Sequence, residues 1–567
     1  MTIVEKIWLK HYPDEIPHSI EYEKKCLHDY LKQAATAYPD FEALHFLGKK
    51  MTYEEVYEQA KKFANQLRTL GVKKGDRIAI MLANCPQSFI SYYGALMIGA
   101  IVVQTNPLYI ERELEHQLVD SGAKIMVCLD LVFPRVQKVR SKTTLSHVIV
   151  TSIKDYLPFP KNILYPIIQK KNQALLVDVV YDDQTIAFKP FVQQGDSAEG
   201  QVQLDPVTDL ALLQYTGGTT GKAKGVMLTH ENLVVNTTQC SYWTYKATKG
   251  KERILAALPF FHVYGMTAVM NLAIMNGFTT VILPKFEPKE VLKTLEKQKI
   301  TLFPGAPTMY IALINESSIT EYDLSSIIAC LSGASALPLE IQQTFEQLTG
   351  GKLVEGYGLT ETSPVAMAIP IWGKRKAGSV GIPWPDTEAG IILNETGEFA
   401  PIGEVGEIVI RGPQVMKGYW NRSEETANSF HGDWFLTGDM GYMDEDGYFY
   451  IVDRKKDVII AGGFNIYPRE IEEILYEHEA VQEAVVVGIP DSYRGETVKA
   501  YIVLKKDSSV TETELDAYCR KQLAAFKVPK LYEFREELPK SLIGKVLRRV
   551  LLEEELQKAC EGKNDKK

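Results

Sequence analysis

The residues from Tyr215 to Gly225 read Tyr-Thr-Gly-Gly-Thr-Thr-Gly-Lys-Ala-Lys-Gly and follow directly on the apolar run Leu210-Ala211-Leu212-Leu213. Glycines let backbone N–H groups turn toward an anion with no Cβ in the way, threonine hydroxyls add donors, and Lys222 and Lys224 supply positive charge. Thr216, Gly217, Gly218, Thr219, Thr220, Gly221 and Lys222 therefore read as a phosphate cradle, a chemistry that suits ATP. The P-loop is excluded, because its pattern needs Gly where Thr216 stands and Ser or Thr where Ala223 stands. A plain solvated Gly/Thr loop is the competing reading.

Further stretches carry polar groups in settings that invite chemistry. Pro259-Phe260-Phe261-His262 sets aromatics beside a histidine, although a histidine satisfied within a core is the commoner occurrence. Asp446-Gly447 is a two-residue hairpin signal between Gly441-Tyr442-Met443 and the strand-like run from Tyr448 to Val452. Folding the chain about that turn sets Asp439 opposite Arg454. A carboxylate there can accept hydrogen bonds from two ribose hydroxyls and a guanidinium can donate to the same sugar, whereas a bare surface ion pair would contribute little. Lys545 lies between Lys540 and Arg548-Arg549, where composition alone reads as a basic patch.

These residues must be positioned by a chain of 567 residues, too long for one core, so at least two domains are expected. Thr52-Tyr53-Glu54-Glu55 is a capping box followed by Val56, Ala60, Phe63 and Leu67 at helical spacing, with Gly71 as the stop. The run Arg77 to Leu82 then reads as a buried strand. The same alternation recurs at Phe89 to Ile98 before Ala100 to Val103, and at Pro288 to Gln298 before Ile300 to Phe303. Helices alternating with continuous apolar strands predict parallel sheets covered on both faces. After Arg454 a small α/β unit restarts, with strands at Asp457 to Ala461, Val485 to Val487 and Ala500 to Leu504, and helices opening at Pro468 and after Thr511. The domain boundary is placed between Asp453 and Lys456, giving domains 1–453 and 454–567.

A net charge of -9 argues against broad nucleic-acid binding and gives no general attraction to anionic lipid. The seven cysteines lack CxxC spacing, so neither a zinc site nor a disulfide framework is indicated, and a reducing cytoplasm fits. The first twenty residues lack a signal peptide's apolar region, and the apolar stretch Ala256 to Pro284 is too interrupted by Pro, Gly, His and Asn to span a membrane. Between Thr151 and Asp205 the patterning weakens into proline-interrupted apolar runs. A packing segment is the plainer reading there, with a lipid-touching element as the alternative.

The cradle, together with Pro259 to His262, Tyr357-Gly358-Leu359-Thr360-Glu361, Leu436 to Asp439, Asp453 to Asp457 and Pro539 to Lys545, resembles the ordered motifs of the adenylate-forming superfamily. The run from Trp434 to Lys456 is most similar to bacterial long-chain fatty acid–CoA ligases. The resemblance implies an α/β fold: a large N-terminal domain of helix-covered sheets with a small barrel-like part, and a small mobile C-terminal domain carrying Lys545. It implies ATP, Mg²⁺ and CoA, with a fatty acid activated to acyl-AMP and then moved to CoA.

By the same resemblance Gly333, Ala334 and Ser335 border adenine, Tyr357 between Gly356 and Gly358 stacks on it, and Asp439 with Arg454 holds ribose. Thr360 and Glu361 offer oxygens to Mg²⁺, a hard cation. Phe261 and His262 lie at the carboxylate end of the acyl pocket, and Met266 stands where some members have a tryptophan gate. Gly462 and Gly463 border the pantetheine channel, Lys456 is the hinge, and Lys545 bridges carboxylate and phosphate. The catalytic set is then Lys545, His262 and Glu361. A medium-chain or aryl acid ligase, a carrier-protein loader and a non-catalytic acyl-binding protein remain as alternatives. Peripheral contact with the inner face of the membrane and a homodimer are left open.

Overall fold

The computed structural model describes residues 5–165, 177–198, 200, 202–216, 223–393, 395–461, 464–491, 494–540 and 546–564. The chain divides into two compact units, one of Trp8–Glu388 with Arg411–Phe435, the other of Met1–Ile7, Ala389–Ile410 and Leu436–Lys567.

The first unit is built on an eight-stranded sheet. Its order is Gly418–Tyr419, Lys224–Thr229, Leu210–Thr216, Ile101–Gln104, Arg77–Met81, Ile125–Leu129, His147–Thr151 and Thr185–Ala187. From Leu210–Thr216 to Thr185–Ala187 neighbouring strands are parallel, while Lys224–Thr229 and Gly418–Tyr419 join antiparallel at one edge. Ile101–Gln104 and Ile125–Leu129 are buried at every residue, which is why they read as unbroken apolar runs without alternation. The expected capping box is formed: Glu55 N–H donates to Thr52 Oγ1 at 3.2 Å and Thr52 N–H to Glu55 Oε2 at 2.9 Å, opening the helix Tyr53–Thr69. That helix packs on Pro86–Met97, whose first eleven residues are all buried, as an apolar-all-round helix must be.

Two four-stranded sheets complete this unit. One runs Arg253–Ala256, Thr279–Ile282, Glu42–Phe46 and Lys49–Thr52; the other runs Ala329–Ser332, Lys352–Gly358, Val365–Ala368 and Ile382–Pro383. The strand expected at Ile300 to Phe303 is reduced to an isolated bridge at Leu302, which pairs with both Ile254 and Ala329 and so links the two sheets. Pro304 follows at once and has no N–H to extend the ladder. The apolar stretch from Ala256 to Pro284 is buried core, as expected. After Val263–Gly265 the chain winds through Met266–Asn271 with wider π-type turns before the helix Leu272–Asn276. Such π segments recur at functional sites.

The weakly patterned region holds Thr185–Ala187, the far edge strand of the large sheet, and the helix Phe188–Gln193. Part of the apolar run at Ile163 to Ile168 lies outside the described residues.

In the second unit the strands Glu388–Ile392, Gly406–Arg411 and Trp434–Met443 lie side by side, and Phe449–Arg454 pairs antiparallel with Trp434–Met443. Asp439 does face Arg454, but by a different route from a two-residue turn. Next to the turn Met443 pairs with Phe449, Asp444 N–H donates to Tyr448 O at 2.9 Å, and Gly447 takes φ +81°. The loop is thus three residues long, with the left-handed position that favours glycine. A bulge between Met440 and Gly441 then shifts the register by one and restores the Asp439–Arg454 pair.

The C-terminal part is a second sheet, Phe464–Ile466, Ile459–Ala461, Gly495–Leu504 and Val481–Asp491, with Leu531–Phe534 parallel to Gly495–Leu504. The strand expected from Asp457 begins only at Ile459, because Asp457 and Val458 N–H both donate to Arg454 O in a turn. Helices Pro468–Tyr476 and Glu512–Gln522 form as expected, the latter capped by Thr511, and they cover a core that includes Ile471, Leu475, Val486, Ala500 and Leu515.

Candidate active site

Thr216 ends a strand whose carboxyl end is the edge of an open α/β sheet at which ligands bind. The returning strand Lys224–Thr229 is held on both sides: Thr216 pairs with Lys224 and Tyr215 with Gly225, while Gly418 and Tyr419 pair with Met227 and Val226. The side chains around it reinforce the pairing. Tyr215 Oη donates to Asp120 Oδ2 at 2.7 Å, Arg422 donates to Asp120 Oδ1 at 2.9 Å, and Trp420 Nε1 donates to Asp120 O at 3.1 Å. Lys224 pairs with Glu425 and lies over the Tyr419 ring at 5.1 Å. Its charge is therefore committed to this scaffold, which differs from the sequence expectation that it serves the cradle.

From this strand the structure reaches Glu361. Tyr419 Oη donates to Glu361 Oε1 at 2.8 Å, and Met416 N–H donates to Glu361 O at 2.8 Å. Burial and the Glu361 carboxylate push the Tyr419 phenol well above its ordinary pKa, so it stays a protonated donor. Thr360 and Glu361 form a single 3-10 turn and are half-buried, leaving a hydroxyl and a carboxylate side by side.

Three contacts draw the remaining candidates of this unit together. Gln214 Nε2 donates to Phe261 O at 3.0 Å, tying the strand before the cradle to the aromatic–histidine stretch. Thr267 Oγ1 donates to Ser363 O at 2.9 Å, tying the helix after His262 to the Thr360–Glu361 turn. Tyr264 Oη donates to Leu331 O at 2.6 Å, and a Cβ on Gly333 would lie 3.1 Å from the Tyr264 ring. His262 Nδ1 accepts from Tyr264 N–H at 3.2 Å, which in the neutral ring leaves the proton on Nε2. Met266 is fully buried.

Beyond Ser332 the chain turns with Ala334 at φ +75°, and Ala334 and Ser335 are exposed. Tyr357 is buried at the end of its strand, between Gly356 and an exposed Gly358. Among the described residues, Gln214 Oε1 and Ser332 Oγ are buried without a hydrogen-bond partner.

In the second unit Arg454 Nε lies 3.2 Å from Asp439 Oδ1. Asp439 is buried, and its N–H donates to Thr437 Oγ1 at 3.1 Å. Lys455 is drawn off to Glu407 at 2.8 Å, and Lys456 stands exposed in the turn that follows.

The family model described as AMP-binding enzyme matches residues 31–420, and the one described as AMP-binding enzyme C-terminal domain matches 470–545. The chain belongs to the AMP-binding enzyme family. It is 56% identical over 553 residues to a long-chain-fatty-acid–CoA ligase of Bacillus subtilis, covering 98% of this chain and 99% of that one. A long-chain-fatty-acid–CoA ligase of Escherichia coli O157:H7 is 40% identical over 572 residues, covering both chains completely. Among solved structures, the O-succinylbenzoate coenzyme A synthetase of Bacillus subtilis in complex with ATP and magnesium superposes with a TM-score of 0.76 at 30% identity, over 92% of this chain and 98% of that one.

Gly217, Gly218, Thr219, Thr220, Gly221, Lys222, Gly462, Gly463 and Lys545 lie outside the described residues. Tyr419, bonded to Glu361 in the candidate site, is a residue that the sequence reading passed over: a two-residue strand has no periodicity to betray it, and its partner Glu361 lies 58 positions away. Gly358 has a reason beyond its place between motif residues, since a Cβ there would lie 1.8 Å from Pro364 O. Gly358→Ala should force the Thr360–Glu361 turn off its strand and cost about 3 kcal/mol or more. Its denaturation midpoint, set against that of the parent, measures this; an unchanged midpoint would mean that the turn relaxes freely.

Proposed function

We propose that this chain is an ATP-dependent long-chain fatty acid–CoA ligase. A fatty-acid carboxylate oxygen attacks the α-phosphorus of ATP and pyrophosphate leaves, giving acyl-AMP; the thiol of CoA then attacks the acyl carbon and AMP leaves. The observation that carries the reading is the convergence, on one strand, of the cradle's return arm and the Glu361 carboxylate, beside a helix that opens at His262 and runs into apolar core. Along that helix lies a cavity of about 30 Å³ lined by apolar side chains that include Ala268, Leu272, Leu302, Leu331, Trp243 and Trp384. The long-chain preference is supported by the long-chain-fatty-acid–CoA ligases that resemble this chain over its whole length.

The residues take these roles. The loop from Thr216 to Lys222 cradles phosphates. Gly333, Ala334 and Ser335 with Gly356, Tyr357 and Gly358 border the base, Asp439 and Arg454 hold the ribose, and Phe261 and His262 meet the acyl carboxylate with Met266 behind them. Thr360 and Glu361 fit magnesium, because an all-oxygen donor pair suits a hard cation. Magnesium, when bound, neutralises charge on the phosphates. Tyr419 holds the Glu361 carboxylate in position through a charge-assisted hydrogen bond.

Lys545 stabilises the charge that builds as carboxylate and phosphate oxygens meet. Gly462 and Gly463 serve the CoA side, so domain 454–567 plays two parts, with Lys456 in its exposed turn as the hinge. No helix among the described residues is long and apolar enough to cross a membrane. Phe159, Ile163 and Val180 are exposed large apolar side chains and support peripheral contact with lipid.

Thioester formation from ATP, CoA and saturated acids of increasing length tests the reading. Acyl-CoA and AMP should appear with long-chain acids; turnover confined to medium-chain or aryl acids, or product formed only on a carrier protein, would replace it. Lys545→Ala should slow adenylate formation by about 10²–10³ while sparing thioester formation from supplied acyl-AMP. Equal loss in both half-reactions would make Lys545 general to both steps or structural. Tyr419→Phe should lower kcat/KM for ATP between about 10-fold and 100-fold, for loss of a hydrogen bond to a charged group, and raise the magnesium concentration needed for half-maximal rate. An unchanged magnesium dependence would show that Glu361 is held without it.

A further inference from the structure

At the far end of the return strand from the cradle, three side chains distant from the proposed chemistry meet in the first unit. Cys26 and His28 open the helix Leu27–Ala37, and His230 opens the helix His230–Trp243 directly after Lys224–Thr229. One donor atom from each of Cys26, His28 and His230 lies within 4.8 Å of the others. Cysteine spacing gives no hint of this group, since Cys26-Leu27-His28 lacks a second thiol and His230 is 202 positions from His28.

Each of the two histidines carries one buried ring nitrogen with no hydrogen-bond partner. His230 is wholly buried and its Nε2 has no hydrogen-bond partner; the buried His28 Nδ1 has none either. A buried polar atom left unpaired is costly, and here the two such nitrogens belong to histidines clustered with a thiol. Asp29 Oδ1 lies 3.7 Å from His28 Nε2, so the carboxylate favours the ring proton on Nε2 and leaves the lone pair on Nδ1. His28 and Asp29 also line an open groove of about 570 Å³, which gives a path from solvent.

We propose that Cys26, His28 and His230 form a binding site for a thiophilic d¹⁰ metal ion, zinc(II) by class, stapling the N-terminal helix to the helix that follows the cradle's return strand. The N₂S set is borderline-soft, as zinc prefers, and leaves a fourth position to water. The thiol proton goes to solvent as the sulfur–metal bond forms. His230 Nδ1 now accepts from Leu27 N–H at a long 3.3 Å, so the neutral ring carries its proton on Nε2. Coordination moves that proton to Nδ1 and tilts the ring away from Leu27, exchanging one weak hydrogen bond for a coordinate bond. Tetrahedral bonds to zinc place donor atoms about 3.5 Å apart, so closure needs roughly 1 Å of side-chain movement.

The test uses the full-length chain, stripped with a chelator and titrated with cobalt(II) as a visible substitute, then with zinc(II). One cobalt per chain should bind, with a thiolate-to-metal charge-transfer band and tetrahedral visible bands that zinc(II) abolishes. The charge-transfer band should vanish in Cys26→Ala, and affinity should fall at least 10-fold in His28→Asn, whose partly exposed position makes misfolding a lesser concern. Zinc(II) should raise the thermal midpoint of the parent and not that of Cys26→Ala. Absence of stoichiometric cobalt binding to the parent, or the same charge-transfer band in Cys26→Ala, would overturn the proposal.

Discussion

The strand Lys224–Thr229 is the constraint on which the first unit's chemistry depends. It is antiparallel to Leu210–Thr216 on one side and to Gly418–Tyr419 on the other, so it fixes the return arm of the cradle and, through Tyr419, the carboxylate of Glu361. Backbone ladders set both distances at once. A loop held at one end only could not keep the proposed phosphate-binding segment and the proposed metal-binding carboxylate in register. Asp120 secures the same edge by accepting from Tyr215, Trp420 and Arg422, and burial with the Asp120 carboxylate raises the Tyr215 phenol so that it remains a donor.

Electrostatics divides the lysines of this region by role. Lys224 is held by Glu425 and the Tyr419 ring, and Lys455 by Glu407. Both sit one or two residues from positions proposed for catalysis or hinge motion, and sequence alone does not separate such neighbours. A cation matched to a carboxylate in the scaffold contributes to shape; it is not available to meet a phosphate.

Much of the fold was legible because its signals are local. The Thr52 capping box, the Pro288 helix start and the unbroken apolar runs of the parallel strands each state their structure within a few residues. The Asp439–Arg454 pair was legible from Asp446-Gly447, yet for an incomplete reason: a three-residue loop displaces the register and the bulge at Met440 and Gly441 restores it. Ile300 to Phe303 failed as a strand because pairing depends on what flanks it: Pro304, without an N–H, stands between single bridges at Leu302 and Gly305. Tyr419 with Glu361, and Cys26 and His28 with His230, were illegible for a common reason: each joins segments far apart in sequence, and no periodicity encodes a meeting that only the folded sheet brings about.

In the two-step reaction proposed for this chain, acid activation is complete before CoA takes part. Exchange of labelled pyrophosphate into ATP, measured with fatty acid present and CoA withheld, tests it most directly. Fatty-acid-dependent exchange at a rate comparable with turnover is the predicted result. Exchange that appears only when CoA is added, or that ignores the fatty acid, would contradict it.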